Sequence, residues 1–229
     1  MSSTTRPHEE REIQLLAGGE VLDGVLAVPP GAIGLVLFAH GSGSSRFSPR
    51  NRFVADALRR EGLATLLFDL LTSEEETEDT FTARLRFDIP LLARRLVAAT
   101  EWAAHFPETE ALPIGYFGSS TGAAAAIVAA GERPDLVQAV VSRGGRPDLA
   151  AEALERLRAP CLLIVGGDDA EVLELNEEAL ERLHATKDLA IVPGATHLFE
   201  EPGALERVAA LAARWFVRHL ARFPVEAHP

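Results

Sequence analysis

The sequence predicts a single-domain α/β fold, with about eight strands in a mostly parallel sheet and helices on both faces. The chain has 229 residues, which is enough for one large domain with a substantial core. From Leu35 onward, short apolar runs alternate with longer helical patterns. The runs are nearly continuous in Leu, Ile, Val and Phe, as expected for strands buried on both faces of a parallel sheet.

The predicted elements follow one another in a regular order. Strands are predicted at 35–38, 64–68, 114–117, 137–141, 161–165 and 189–192, and helices at 49–61, 83–105, 121–131, 149–158, 171–184 and 201–220. Two earlier strands, 12–16 and 20–28, flank Ala17-Gly18-Gly19 and predict an antiparallel hairpin at one sheet edge. The acidic run 73–79 is interpreted as a solvated loop. Residues 1–11 and 223–229 are predicted tails of a domain spanning 12–222.

Charge and composition exclude several classes of partner. The chain carries 22 basic and 34 acidic side chains, a net charge of -12, which repels nucleic-acid phosphates and anionic lipids. No apolar stretch approaches the roughly 20 residues that cross a bilayer. The single cysteine, Cys161, cannot form an intramolecular disulfide, and the N-terminus shows no export signal. We therefore expect a cytoplasmic protein with no nucleic-acid or membrane partner, and leave the oligomeric state open.

The strongest local motif is Gly118-Ser119-Ser120-Thr121-Gly122, between a predicted strand and an alanine-rich helix. This G-x-S-x-G context is that of a nucleophile elbow, where a sharp turn projects the serine hydroxyl and the helix N-terminus favours developing negative charge. A glycine-rich turn that merely packs a helix against a strand would show the same pattern. The motif therefore needs support from a base and an acid.

Candidate partners for Ser120 follow the next strands. Asp168 and Asp169 come directly after one buried strand, and His197 follows the next. The carboxyl ends of parallel strands meet at one sheet edge, so these side chains can converge. The order Ser, Asp, His is that of the α/β-hydrolase fold. We expect Ser120 as nucleophile, His197 as base, and Asp168 or Asp169 as acid, with Asp148 as a more distant alternative.

The loop after the first parallel strand is the expected second half of an oxyanion hole. It runs through His40-Gly41-Ser42-Gly43. In this fold that loop supplies one backbone N–H, and the residue after the nucleophile, Thr121, supplies the other. Ser42 or Gly43 is the expected donor. His40 is interpreted as a structural residue.

Three arginines, Arg46, Arg143 and Arg146, flank the predicted site. A guanidinium can bind a carboxylate or phosphate through two parallel hydrogen bonds, so Arg46 and Arg143 are candidate substrate contacts. Pairing with the many surface acids is the alternative, and we favour it.

No cofactor or metal is expected. Arg46 stands where a dinucleotide fingerprint starting at Gly41 would need glycine, and no lysine follows Gly122 as in a phosphate loop. The acids Asp168, Asp169 and Glu171 have no histidine or cysteine within a few residues to complete a metal site.

Several segments together carry a family resemblance: HGSGSSRFSPRN from His40, FDLLT from Phe68, GYFGSSTGAAAA from Gly115, SRGGRPDLA from Ser142, VGGDDAEVLELN from Val165 and PGATHLFEEPGALERVA from Pro193. Over roughly residues 35–216 the chain resembles the dienelactone-hydrolase-like α/β hydrolases, in particular a compact bacterial subgroup. The resemblance implies Ser120 as nucleophile, His197 as base and Asp169 as acid, at the end of a G-x-x-D pattern. Dienelactone hydrolases proper use a cysteine where Ser120 stands, so the resemblance supports the fold and triad but not that substrate.

The expected function is that of a serine hydrolase, a carboxylesterase or related ester or lactone hydrolase acting on a small soluble substrate without a cofactor. The connection 141–149, where such enzymes often insert a cap, is short, so no large lid is expected. An acyl transferase or perhydrolase could use the same triad. A non-catalytic binding protein of this fold is a further alternative, although we would expect it to lack a triad member.

Overall fold

A computed structural model describes residues 9–221, which form one eight-stranded sheet with helices on both faces. The strands are β1 (Glu10–Ala17), β2 (Glu20–Ala27), β3 (Gly34–Ala39), β4 (Leu63–Phe68), β5 (Ile114–Ser119), β6 (Val137–Arg143), β7 (Cys161–Gly166) and β8 (Lys187–Val192). The helices are α1 (Pro49–Arg60), α2 (Ser73–Thr82), α3 (Ile89–His105), α4 (Thr121–Glu132), α5 (Ala153–Arg156), α6 (Ala170–Arg182) and α7 (Ala204–Leu220). Residues 1–8 and 222–229, which include most of the two predicted tails, lie outside the described residues.

The sheet has the order β1-β2-β4-β3-β5-β6-β7-β8. The β1–β2 hairpin occupies one edge, and β2 is antiparallel to β4. The strands from β4 to β8 in this order pair in parallel. The predicted single-domain α/β-hydrolase fold with a mostly parallel sheet of about eight strands is therefore confirmed.

Both faces of the central strands are buried, which explains their continuous apolar sequence. Along β3, Leu35 and Leu37 belong to the core cluster on the face covered by α3 and α4. Val36 and Phe38 belong to the opposite cluster, which includes residues of α1 and α7. Successive side chains of a strand point to opposite faces, so each must be apolar when helices cover both.

The acidic run 73–79 is helical, and the predicted loop is wrong. It begins α2, whose N-terminus has a capping box: the Thr72 hydroxyl accepts the Glu75 N–H at 3.2 Å, and the Glu75 carboxylate accepts the Thr72 N–H at 2.8 Å. Acidic side chains in a first helical turn also favour the helix dipole. The charge of this run predicts a loop, whereas at this position it stabilises the start of a helix.

Other helices are shorter than predicted. Helix α3 starts at Ile89, where Asp88 caps its first turn, and not at residue 83. The predicted helix 149–158 is interrupted by a 3-10 turn, Pro147–Ala150, and by the positive φ of 48° at Ala151, so only α5 remains helical. The β6–β7 connection therefore contains only short elements, and no cap domain rises from it.

Candidate active site

Ser120 occupies a strained turn between β5 and α4. Its backbone has φ 51° and ψ -122°, a region that residues with a side chain rarely adopt. The turn requires glycine on both sides. A Cβ at Gly118 would lie 2.5 Å from Ala123 Cα, and one at Gly122 would lie 2.2 Å from Ala39 O. The G-x-S-x-G spacing is thus explained by the close approach of α4 to the ends of β5 and β3.

His197 and Asp169 lie at the ends of the neighbouring strands. The loop after β8 carries His197, whose Nδ1 lies 2.7 Å from Asp169 Oδ2 at the end of β7. Asp169 keeps only 15% of its side chain exposed, whereas Asp168 is exposed. Ser120 and His197 line the same small cavity of about 210 Å³. The structure therefore brings Ser120, His197 and Asp169 to one edge of the sheet and leaves Asp168 at the surface.

His40 is buried and holds the loop that follows β3. Its Nε2 lies 3.0 Å from the Leu70 backbone N–H, which donates to it, so the other nitrogen, Nδ1, carries the proton and donates to Gly41 O at 3.0 Å. Burial lowers the pKa of His40, although the Gly41 carbonyl and the charges of Asp69 and Glu76 oppose this. A neutral ring with one donor and one acceptor satisfies both contacts.

The His40 contact orients the peptide that joins Gly41 to Ser42. The carbonyl and N–H of a planar trans peptide point in opposite directions, so the Ser42 N–H points away from the His40 ring. A Cβ on Gly41 would lie 3.0 Å from Ser120 Cβ, so this peptide runs directly beside the serine. The Gly41–Ser42 peptide therefore lies beside Ser120, and Gly43 is one residue further along the loop.

The three arginines have different surroundings. The Arg46 guanidinium is paired with Asp69, whose carboxylate also accepts the Arg46 backbone N–H at 2.7 Å. Arg146 binds Asp148 through two hydrogen bonds of 2.9 and 2.7 Å. Arg143 is 7% exposed and lines the small cavity with Ser120. The structure thus brings Arg143 to the site. Arg46 lines neither this small cavity nor a second, larger cavity of about 430 Å³ beside it.

The larger cavity, of about 430 Å³, lies on the other side of the oxyanion loop. Gly41 and Ser42 line both cavities, and Thr121 lines the larger one. Helix α2 forms much of its wall. The sequence analysis predicted neither the helix that forms this wall nor the position of Arg50, from α1, in the small cavity. The T-x-x-E pattern at the start of α2 would have predicted the helix.

Cys161 is not available as an alternative nucleophile. It is fully buried at the start of β7, and burial raises the pKa of its thiol to about 12, so it does not serve as a nucleophile.

Within residues 9–221, no group of three or more His, Cys, Asp or Glu side chains is arranged to hold a metal ion. In the same part of the chain, no helix has the length and apolarity needed to span a bilayer.

Comparison with known proteins decides the family. The model of the dienelactone hydrolase family matches residues 22–223. The chain belongs to this family. The crystal structure of a dienelactone hydrolase from Anabaena variabilis superposes on this chain with a TM-score of 0.92, and the two sequences are 60% identical. The match covers 94% of this chain and all of that one. An esterase from Pyrococcus furiosus, 20% identical with a TM-score of 0.75 over 93% of this chain and 94% of that one, shares the fold.

Curated relatives of this dienelactone hydrolase family member carry a different kind of name. A protein of Mycobacterium tuberculosis called "Putative phosphoribosyl transferase" is 56% identical over 214 residues, which is 93% of this chain. The match covers 47% of that protein. The chain therefore spans about half the length of the curated relatives it matches, and their name describes longer proteins.

Proposed function

We propose that this member of the dienelactone hydrolase family is a serine hydrolase that cleaves ester-type bonds in small substrates. Ser120 acts as nucleophile, His197 as general base and Asp169 as the acid that orients His197. One observation carries the proposal: Ser120, in its strained turn, lines the same cavity as His197, and His197 Nδ1 lies 2.7 Å from the Asp169 carboxylate. Strain of this kind is concentrated at functional sites.

The reaction follows from these positions in two halves. Ser120 Oγ attacks the ester carbonyl carbon as its proton passes to His197 Nε2, and the carbonyl oxygen becomes an oxyanion facing the N–H groups of Thr121 and Ser42. The bond between this carbon and the leaving oxygen then breaks, and His197 returns its proton to that oxygen. Water attacks the acyl-enzyme by the same route and releases the acid. Asp169 keeps the proton of the neutral ring on Nδ1, so that Nε2 can accept.

The cavities limit the size of the substrate. Pockets of about 430 and 210 Å³ accommodate short acyl and alcohol groups, and only short elements separate β6 from β7. We therefore expect short-chain esters to be preferred over long-chain emulsified lipids. A cytoplasmic location remains a prediction from the sequence.

A fluorophosphonate probe tests the proposal directly. Mass spectrometry is expected to find the label on Ser120 in the wild type and none in Ser120→Ala. Ser119→Ala is the matched control. Because Ser119 is only 2% exposed, its hydroxyl is not the one that the probe reaches, and this variant should keep the label on Ser120. An inert wild-type serine would support a non-catalytic protein of this fold.

A panel of small esters, lactones and thioesters, assayed with and without an added alcohol or hydrogen peroxide, then identifies the bond cleaved. The added acceptors separate hydrolysis from acyl transfer and perhydrolysis, because all three pass through the same acyl-enzyme. Loss of all turnover in Ser120→Ala is expected for each substrate that reacts.

A further inference from the structure

Arg143 is a buried cation beside the candidate nucleophile. It ends β6, and its carbonyl accepts the Ser120 N–H at 3.3 Å, so its position relative to Ser120 is fixed by the backbone. The residue is 7% exposed. Among residues 9–221, no carboxylate lies within ion-pair distance of its guanidinium and no acceptor takes a hydrogen bond from it. Arg146, three residues later, has both.

No carboxylate among the described residues compensates the charge of Arg143. Burial and the nearby charge of Arg50 lower its pKa to about 10, so it remains protonated at neutral pH. Arg50 lines the same cavity and donates to Glu200 at 3.0 Å, while its Nε is enclosed without a partner among the described residues. The Phe199 ring centroid lies 5.8 Å from the Arg143 guanidinium carbon. A buried charge of this kind is costly unless a partner neutralises it, and an anionic ligand would do so.

The position of His197 indicates which part of a substrate would meet Arg143. In the proposed reaction, His197 returns its proton to the leaving oxygen, so the alcohol part must lie on the side of His197. The small cavity holds His197, Leu198, Arg50 and Arg143. The acyl part then extends past the oxyanion loop into the larger cavity, which Thr121 lines.

The two cavities also differ in charge. The larger cavity is lined by two acids, Asp79 and Glu76, and by Arg86. Asp79 is paired with Arg86 at 2.5 Å, whereas no ion pair of Glu76 is found within residues 9–221. Glu76 therefore disfavours an anion in the acyl part.

We propose that Arg143 binds an anionic group, a carboxylate or phosphate, carried by the alcohol part of the ester, and so makes the enzyme selective for anionic leaving groups. This inference rests on the proposed function. The planar guanidinium can donate two parallel hydrogen bonds to either anion. Arg143 is a specificity-determining residue in this scheme, and Arg50 adds to the positive potential of the cavity.

Three chromogenic esters test where the anion is accepted. They are 4-nitrophenyl acetate, its analogue with a carboxylate on the phenol ring, and the mono-4-nitrophenyl ester of succinate, whose carboxylate lies in the acyl part. Acetylated glycerol and acetylated glycerol phosphate provide the same comparison for phosphate. In Arg143→Gln, kcat/KM for the esters with an anionic alcohol should fall about tenfold to a hundredfold relative to their neutral partners.

The controls separate this effect from a general loss of structure. Arg146→Gln removes a similar charge that is already paired with Asp148, and the ratio of anionic to neutral esters should stay as in the wild type. Arg143→Lys keeps the charge without the planar fork, and its ratio should lie between the two. If Arg143→Gln does not unfold cooperatively, Arg143→Lys takes its place, and its ratio of kcat/KM for anionic and neutral esters should fall below the wild-type ratio. The inference is overturned if the folded Arg143 variant keeps the wild-type ratio. It is also overturned if that variant loses more activity on the succinate ester than on the anionic phenol ester.

A binding measurement keeps the inference separate from the proposed reaction. Calorimetry on Ser120→Ala with 3-hydroxybenzoate or glycerol phosphate should show binding that is lost in the double variant Ser120→Ala/Arg143→Gln. Such binding without any ester turnover in the wild type would support the anion site and contradict the proposed hydrolysis. Ester turnover without binding of either anion, and with no change of ratio in Arg143→Gln, would contradict the anion site alone. The tighter of the two ligands identifies carboxylate or phosphate as the preferred anion.

Discussion

Replacing Asp169 with Asn tests the candidate triad with a change of one atom in the side chain. Asp169 Oδ2 lies 2.7 Å from His197 Nδ1, so the carboxylate accepts the ring proton and leaves Nε2 free to accept the serine proton. An amide at the same position can turn its NH₂ group toward Nδ1. The ring proton then moves to Nε2, where it faces Ser120 and prevents proton transfer.

The expected loss is large because the wrong tautomer removes the base entirely. The corresponding change in a serine protease lowers kcat on the order of 10⁴-fold, and the short Asp169 contact, with 15% of its side chain exposed, leaves little room for water to replace the carboxylate. We therefore expect kcat for a short-chain 4-nitrophenyl ester to fall by about that factor in Asp169→Asn. KM should change little, because neither atom of the pair contacts bound substrate in the scheme.

Asp168→Asn is the matched control, since it makes the same chemical change at the adjacent, exposed residue. Its kcat should stay within about twofold of wild type, as exposed charges contribute little. Thermal unfolding of both variants checks that each is folded. A severe loss in Asp168→Asn with a mild loss in Asp169→Asn would refute the reasoning from the structure, and two mild losses would mean that neither Asp168 nor Asp169 orients His197.

Three further predictions concern the turn, its glycine neighbour and the buried histidine. Ser120→Gly should unfold at a higher urea concentration than Ser120→Ala, because glycine relieves a positive-φ strain of roughly 1–3 kcal/mol, and equal midpoints would show that the turn is unstrained. Gly122→Ala should lose about 3 kcal/mol or more of stability together with the activity, since its Cβ would lie 2.2 Å from Ala39 O; a normal melting temperature would contradict this close approach. The free energy of unfolding should fall as pH drops below 6.5, because the unfolded chain protonates His40 at its ordinary pKa while burial lowers that pKa in the folded protein. Urea titrations at pH 7 and 5 should show a smaller fall in His40→Gln, where His219, whose pKa is also lowered by burial, still contributes; an unchanged fall would argue against a buried neutral His40.

The sequence predicted the fold because its main signals are local and repeated. Each central strand is an apolar run, and each is followed by a helical pattern, so the parallel sheet follows from burial on both faces. The chain positions of Ser120, Asp169 and His197 could be predicted for the same reason, since each lies in the segment that follows the carboxyl end of a strand. That they meet is a property of the sheet edge, which the strand order determines.

What the sequence could not show depends on side-chain pairing across the fold. Arg46, Arg143 and Arg146 read alike in the sequence, yet Asp69 and Asp148 bind two of them and no described carboxylate binds the third. The partners of Arg46 and Arg146 lie at different separations along the chain, so no spacing rule predicts which of the three arginines is paired.

Helix α2 was missed for a different reason. Its seven-residue acidic start has the composition of a loop, and the capping box that makes it a helix consists of two residues, Thr72 and Glu75. The burial of Asp79 and its pairing with Arg86 depend on how α2 packs against the segment before α3.

The contacts of His40 separate the parts of this site that can vary from those that cannot. Its ring joins the oxyanion loop to the backbone of Leu70, just before α2, so the wall of the larger cavity is attached to β3 and β4 and not to the strands that carry Ser120, Asp169 and His197. Insertions or substitutions in α2 can therefore reshape the larger cavity while Ser120, His197 and Asp169 stay in place. If the acyl part of the substrate binds there, as proposed, a new acyl preference could evolve, or be selected in a library confined to residues 73–87, without moving these three residues.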